Sequence, residues 1–142
     1  MVRILGGDGD PTNLVKVEHE ATLTRWLDGR ILPEGRSIEA FKQAVTQQLI
    51  KDFQWDAERV AGVRISLLQL LEDEITWGMD RNPTALFASF YRLDLGEGVI
   101  REVMDWNERP QAAAKLAALC LERAAQKVWL RWTSGVVNTT RG

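Results

Sequence analysis

Between Pro33 and Pro83 the chain contains no other proline, and its only glycines there are Gly35, Gly62 and Gly78. Over that stretch apolar side chains recur every three to four positions. A run with so few breakers and that period buries one face as helix, because strand would scatter the apolar residues over both faces. Ile38, Phe41, Val45, Leu49 and Phe53 form one stripe, and Ser37 stands where a helix cap is wanted. Val60, Val63, Leu67, Leu70, Leu71 and Ile75 form a second behind Asp56, which predicts one long helix ending near Asp80. Asn82-Pro83 stops it and starts a third, since proline is tolerated at a first helical position. That third helix carries Leu86, Phe87, Phe90 and Tyr91. A fourth is predicted from about Glu97 to Trp106 behind Gly96, and a last from Arg109-Pro110 to about Trp132.

The first 36 residues read differently. "GGDGDPTN" is a loop by composition. In "LVKVEHEATL", Val15, Val17, His19, Ala21 and Leu23 alternate with polar residues, the period of a half-buried strand. Asp28-Gly29 between apolar pairs then signals a hairpin turn. The alternative is a helix from Leu14 to Leu27. The expected fold is therefore mainly α: a five-helix, bundle-like single domain with a short N-terminal β-hairpin or extended arm. Its parts would be the arm at 1–36, the helical domain at 37–133 and a flexible tail at 134–142.

A chain of 142 residues can bury roughly two-thirds of its unfolded surface without disulfides. It could form none internally, since Cys120 is its one cysteine, and this fits a reducing compartment. The opening "MVRILGGDGDP" has no signal-peptide pattern, and no apolar run approaches the ~20 residues of a membrane span. A cytoplasmic location without membrane contact is the expectation.

Catalytic and metal chemistry find little to stand on. His19 and Cys120 are the only imidazole and thiol, too few for a transition-metal site. Glu72, Asp73 and Glu74 are consecutive, so on a helix they point about 100° apart and cannot share an ion. "GGDGD" lacks the helix N-terminus and Lys of a phosphate loop, and the calcium-loop pattern fails at Asn13 and His19. No serine sits in a nucleophile elbow, and Cys120 in "KLAALCLERAA" has the surroundings of a packed residue. No cofactor and no metal are expected, and the balance is against an enzyme. Glu74 is the exception. It falls inside an apolar stripe, where a carboxylate needs a partner, and Arg92 and Arg101 are the candidates. The preferred reading is a structural ion pair, Glu74 with Arg92 or Arg101. The alternative is a small-ligand or carboxylate-dependent enzyme site near Glu74.

The stretch "YRLDLGEGVIREVMDW", Tyr91 to Trp106, has the look of a helix-turn-helix. Against DNA reading stand Asp94 at the usual glycine position, bulky Phe90, and Glu97, Glu102, Asp105 and Glu108 set against Arg101. Nucleic acid is thus disfavoured, and a weak helix-turn-helix-like DNA binder is kept only as an alternative. The net charge is −2, with acids prevailing between Asp52 and Glu108 and Arg109, Lys115, Arg123, Lys127 and Arg131 following. The basic last helix is expected to lie beside the acidic ones rather than to face a partner.

That last helix has two apolar sides. Ala114, Ala117, Leu121, Ala124, Ala125, Val128 and Trp132 form one, and Leu116, Leu119 and Leu130, with Trp129 at the edge, point elsewhere. Either the helix is sandwiched in the fold or Leu116, Leu119, Trp129 and Leu130 form an interface, a reading encouraged by the six tryptophans. The functional expectation is a non-catalytic protein–protein interaction domain, as a homodimer or as an adaptor or subunit of a larger assembly.

Overall fold

The computed structural model describes residues 22–141, with side chains to residue 134. Its described residues form seven helices and no strand: α1 at 22–27, α2 (Ile38–Phe53), α3 (Ala57–Ala61), α4 (Leu67–Arg81), α5 (Pro83–Leu93), α6 (Glu97–Met104) and α7 (Arg109–Arg141). The protein is mainly α, as the periodicity requires, but with more helices than the five expected.

Two differences account for the count. The hairpin is not formed around Asp28-Gly29. Leu23 and Leu27, one helical turn apart, are both buried on one face of α1, and Trp26 stacks on Phe41 with ring centroids 5.8 Å apart. Asp28 and Gly29 do turn the chain, but as a helix end: Gly29 takes φ 82°, and Arg30 N–H donates to Leu27 O at 2.8 Å. The helical alternative therefore holds for residues 22–27. The rest of that proposed strand, with His19 and the "GGDGD" loop, lies outside the described residues. The second difference is the long helix expected behind Asp56, which is broken in two. Asp56 caps α3 through Glu58 N–H, Gly62 closes it, and Ser66 caps α4 by accepting from Gln69 N–H at 3.0 Å. Helix continuing through 62–66 would forfeit the Ser66 cap and pass through the glycine.

The remaining ends follow the sequence closely. Ser37 Oγ accepts from Ala40 N–H, and Asn82 Oδ1 accepts from Ala85 N–H ahead of Pro83. Helices α2 and α5 end alike. Gln54 and Asp94 take left-handed φ of 57° and 69°, and their N–H groups donate to Lys51 O and Tyr91 O. Trp55 and Leu95 then donate to Ile50 O and Phe90 O and fold back into the core. This is the Schellman closure, built twice without glycine.

The core sits around α7, which packs most extensively on α4 and α2 and also touches α5 and α6. Ala112, Ala113, Ala117, Ala124 and Ala125 are buried along it, small enough for neighbouring helices to approach closely; Leu116, Leu121 and Val128 fill the gaps. The two apolar sides of α7 are thus the mark of a sandwiched helix. The helix runs to Arg141, past the Trp132 at which its apolar pattern ends. Where α4 meets α5, an added Cβ at Gly78 would lie 3.1 Å from Leu86 Cβ, so this glycine sets the spacing of the pair.

The left-handed Gln54 generates a prediction. An L-residue there carries a backbone cost of about 1 kcal/mol that glycine avoids. Gln54→Gly should raise the unfolding free energy by up to about 1 kcal/mol, as read by urea titration followed by circular dichroism.

Candidate functional site

A carboxylate inside an apolar helix face must be paired, and α2 carries one. Gln48 and Asp52 lie one turn apart on the stripe of Phe41, Val45 and Leu49, and both are buried. Gln48 Nε2 donates to Asp52 Oδ2 at 2.8 Å, and Lys127 Nζ donates to the same oxygen at 3.1 Å. Arg131 Nη1, one turn further along α7, donates to Gln48 Oε1 at 2.8 Å. From α5, Arg92 Nε donates to Asp52 O at 2.7 Å, and Arg92 Nη2 to Ser89 Oγ at 3.1 Å. Lys127 also donates to Arg92 O at 3.0 Å. Three helices are tied by one connected set of charges, and its geometry is closed. It is a brace rather than a reactive centre.

This brace replaces the ion pair expected at Glu74. Arg92 is committed to Asp52 and Ser89, and Arg101 bridges its own helix to Glu97 at 3.0 Å. Glu74, 33% exposed, meets Arg59 instead, at 3.5 Å. That partner became reachable because α3 is a separate short helix that folds back toward α4. The brace itself left a signal in the sequence: two polar residues, Gln48 and Asp52, on the most apolar face of α2.

The expected interface set on α7 does not come together as a surface. Leu116 is fully buried, because α7 is covered on that side too. Trp129 is half buried in an aromatic cluster, 6.0 Å from Trp26 and 6.4 Å from Phe41, with Trp132 5.7 Å from Phe41 on its other side. Leu119 is half buried beside Trp26 in a shallow cleft, and Leu130 alone of the four is exposed. Arg30 lies over the Trp26 ring and Arg36 over the Trp132 ring, at 3.8 and 4.4 Å, so part of the tryptophan content is spent within the fold. Three cations of α7 are spent likewise: Arg123 clamps Asp94 at 2.9 Å, Lys127 holds Asp52, and Arg109 holds Asp80 at 2.7 Å. The basic helix lies beside the acidic ones.

Among the clefts of the described residues, two combine an exposed aromatic side chain with a carboxylate. One, of about 230 Å³, opens between α5 and α6, within the stretch that resembles a helix-turn-helix. Phe87, Ile100 and Met104 line it, with Tyr91, Glu97, Arg101 and Asp105 around them. Tyr91 is 59% exposed, and its hydroxyl donates to Glu97 Oε2 at 3.5 Å. The joint is held by Asp94, whose left-handed turn stands at the position expected for glycine. Arg123 steadies it from α7 through both the carboxylate and the carbonyl. The second cleft, of about 110 Å³, lies between α4 and α5 and contains Glu74 among aromatic side chains.

Neither cleft holds a catalytic constellation. Among the described residues no group of three His, Cys, Asp or Glu is placed to hold a metal ion. Cys120 is buried in α7, and desolvation pushes its thiol well above the ordinary range, so the nucleophilic thiolate is suppressed. Among the described residues no helix is long and apolar enough to cross a membrane.

The brace predicts a specific energetic pattern. Asp52→Ala leaves Lys127 without its counter-charge and Gln48 Nε2 without its acceptor, and should cost about 3 kcal/mol. The double replacement Asp52→Leu with Lys127→Met should recover most of that loss, because a well-packed apolar pair avoids the desolvation of both charges. Chemical denaturation of the two variants checks it; equal losses in both would mean that packing volume, not charge pairing, sets the cost.

Comparison with known proteins adds no relative: no family model, no curated protein and no solved structure matches this chain.

Proposed function

We propose that this chain is a non-catalytic protein–protein interaction domain that works through the α5–α6 groove. The observation that carries the reading is the combination in that groove of an apolar floor with an exposed aromatic and a carboxylate rim. Phe87, Ile100 and Met104 offer a socket for one large apolar side chain, and Tyr91 stands beside it with its ring in solvent. Exposed tyrosine at the mouth of an apolar socket is the residue type that dominates binding energy in protein interfaces. Val99 and Trp106 are also exposed on this stretch.

Charge selects the partner. Glu97 and Asp105 border the socket, and Asp94, Glu102 and Glu108 are exposed along the same segment. Arg101 is held by Glu97, and Arg92 by the brace. The complement is a segment bearing an apolar anchor flanked by Lys or Arg, which such a rim would steer and orient. The same carboxylates would repel a phosphate backbone, so the resemblance to a DNA-reading joint is a resemblance of shape only.

A photo-crosslinking amino acid in place of Tyr91, compared with one in place of Leu130, tests this. The expected result is a cross-link from position 91 to a different protein, mapped to a Lys/Arg-rich segment around an apolar residue. Adding Glu97→Lys and Asp105→Lys should cut its yield about tenfold, a loss in the range of charge-complementary contacts. No yield above that of position 130, a yield indifferent to charge reversal, or cross-linking to a second copy of this chain would overturn the proposal.

A further inference from the structure

The α4–α5 cleft is a separate site with a different chemistry. Phe53 and Trp55 enter it from the α2–α3 junction, where the left-handed Gln54 turns the chain so that both rings fall on the same side, centroids 5.1 Å apart. Glu74 and Trp77 enter from α4, three residues apart and so on one helix face. Gly78, Leu86, Asn82, Ala85 and Ser89 complete the lining. Trp55 is almost wholly buried, whereas Trp77 is 55% exposed. Three aromatic rings and a carboxylate therefore surround about 110 Å³, too little for a drug-sized molecule but enough for a compact head group.

The polar groups decide which head group. Ser89 Oγ donates to Ala85 O at 3.3 Å and accepts from Arg92 at 3.1 Å. Asn82 Oδ1 accepts from Ala85 N–H at 3.3 Å. Each oxygen already accepts from one partner within the fold, so an –NH₃⁺ entering the cleft would find Glu74 as its one charged acceptor and would turn its other N–H groups toward aromatic rings rather than water. A methylated ammonium has no such requirement. Its charge is spread over methyl groups that pack on ring faces, and aromatic rings with one carboxylate are the complement it selects. Arg59, 3.5 Å from Glu74 and 49% exposed, is the resident competitor for that carboxylate.

We infer that this cleft binds a small solute carrying a quaternary ammonium group, with Trp77 closing over it as Arg59 gives up Glu74. The inference does not depend on the α5–α6 groove being an interface.

Calorimetric titration of the full chain with choline, with its uncharged carbon isostere 3,3-dimethylbutanol and with methylammonium tests it. Choline should bind with millimolar affinity or better. The other two should bind about tenfold more weakly, within the range of a partly desolvated cation–π contact. Trp77→Ala should abolish choline binding and Trp77→Phe should restore part of it. Glu74→Gln should weaken binding several-fold, and Arg59→Gln should strengthen it. Trp77 and Arg59 are exposed enough for these variants to fold, which thermal melts would verify. Equal binding of the isostere would reduce the site to a plain apolar pocket, and equal binding of methylammonium would reduce it to a simple ion pair. Either result, or no binding of choline, overturns the inference.

Discussion

The fold depends on how closely other helices can approach α7. Its buried alanines at 112, 113, 117, 124 and 125 leave little side chain between backbones, and α2, α4, α5 and α6 all reach the core against it. Close approach leaves no room for water, so each polar group brought to the seam must be matched by protein. That is the reason for the brace. Asp52 comes to the seam on α2, and Lys127 from α7 and Arg92 from α5 satisfy its carboxylate and its carbonyl. Such a charge set contributes little net stability, since desolvation offsets most of its attraction, but a shift of α2 against α7 would leave the buried Asp52 carboxylate without its cation. The apolar seam supplies the stability, and the brace discriminates against a slipped register.

The same constraint leaves α7 with little exposed apolar surface among its described side chains. Once both of its apolar sides are covered and Arg123, Lys127 and Arg109 are paired, its side chains up to residue 134 offer to solvent chiefly Leu130 and polar residues. Exposed aromatic surface lies instead on α4, α5 and the segment after α6, at Trp77, Tyr91 and Trp106. Each of the first two stands at a cleft, the α5–α6 groove with two carboxylates and the α4–α5 cleft with one. The clefts differ in what they can accept. The α5–α6 groove is wider and apolar-floored, whereas the α4–α5 cleft is small and walled by aromatic rings.

Much of this was legible in the residues. Ser37, Asp56, Asn82-Pro83 and Gly96 mark helix starts that depend only on local hydrogen bonding, and all four mark real ones. The break between α3 and α4 was also written there, in Gly62 and in Ser66 three residues before Gln69, but the continuous run of Val60, Val63, Leu67 and Leu70 masked it. Pairings were less accessible, because they depend on where elements cross. Glu74 finds Arg59 only after the chain doubles back at residues 62–66, and Asp52 finds Lys127 across 75 positions. A two-sided helix is ambiguous by nature: the pattern of α7 says that both sides are covered, and only the packing says that the cover is its own chain.

The measurement that bears most directly on this account is the sedimentation behaviour of the wild-type chain and of Leu130→Asp over a wide range of concentration. If the apolar sides of α7 are internal, the two should sediment alike, as monomers with the same stability. A wild-type dimer that Leu130→Asp dissolves would put an interface on α7 and contradict the proposal that the α5–α6 groove is the binding surface.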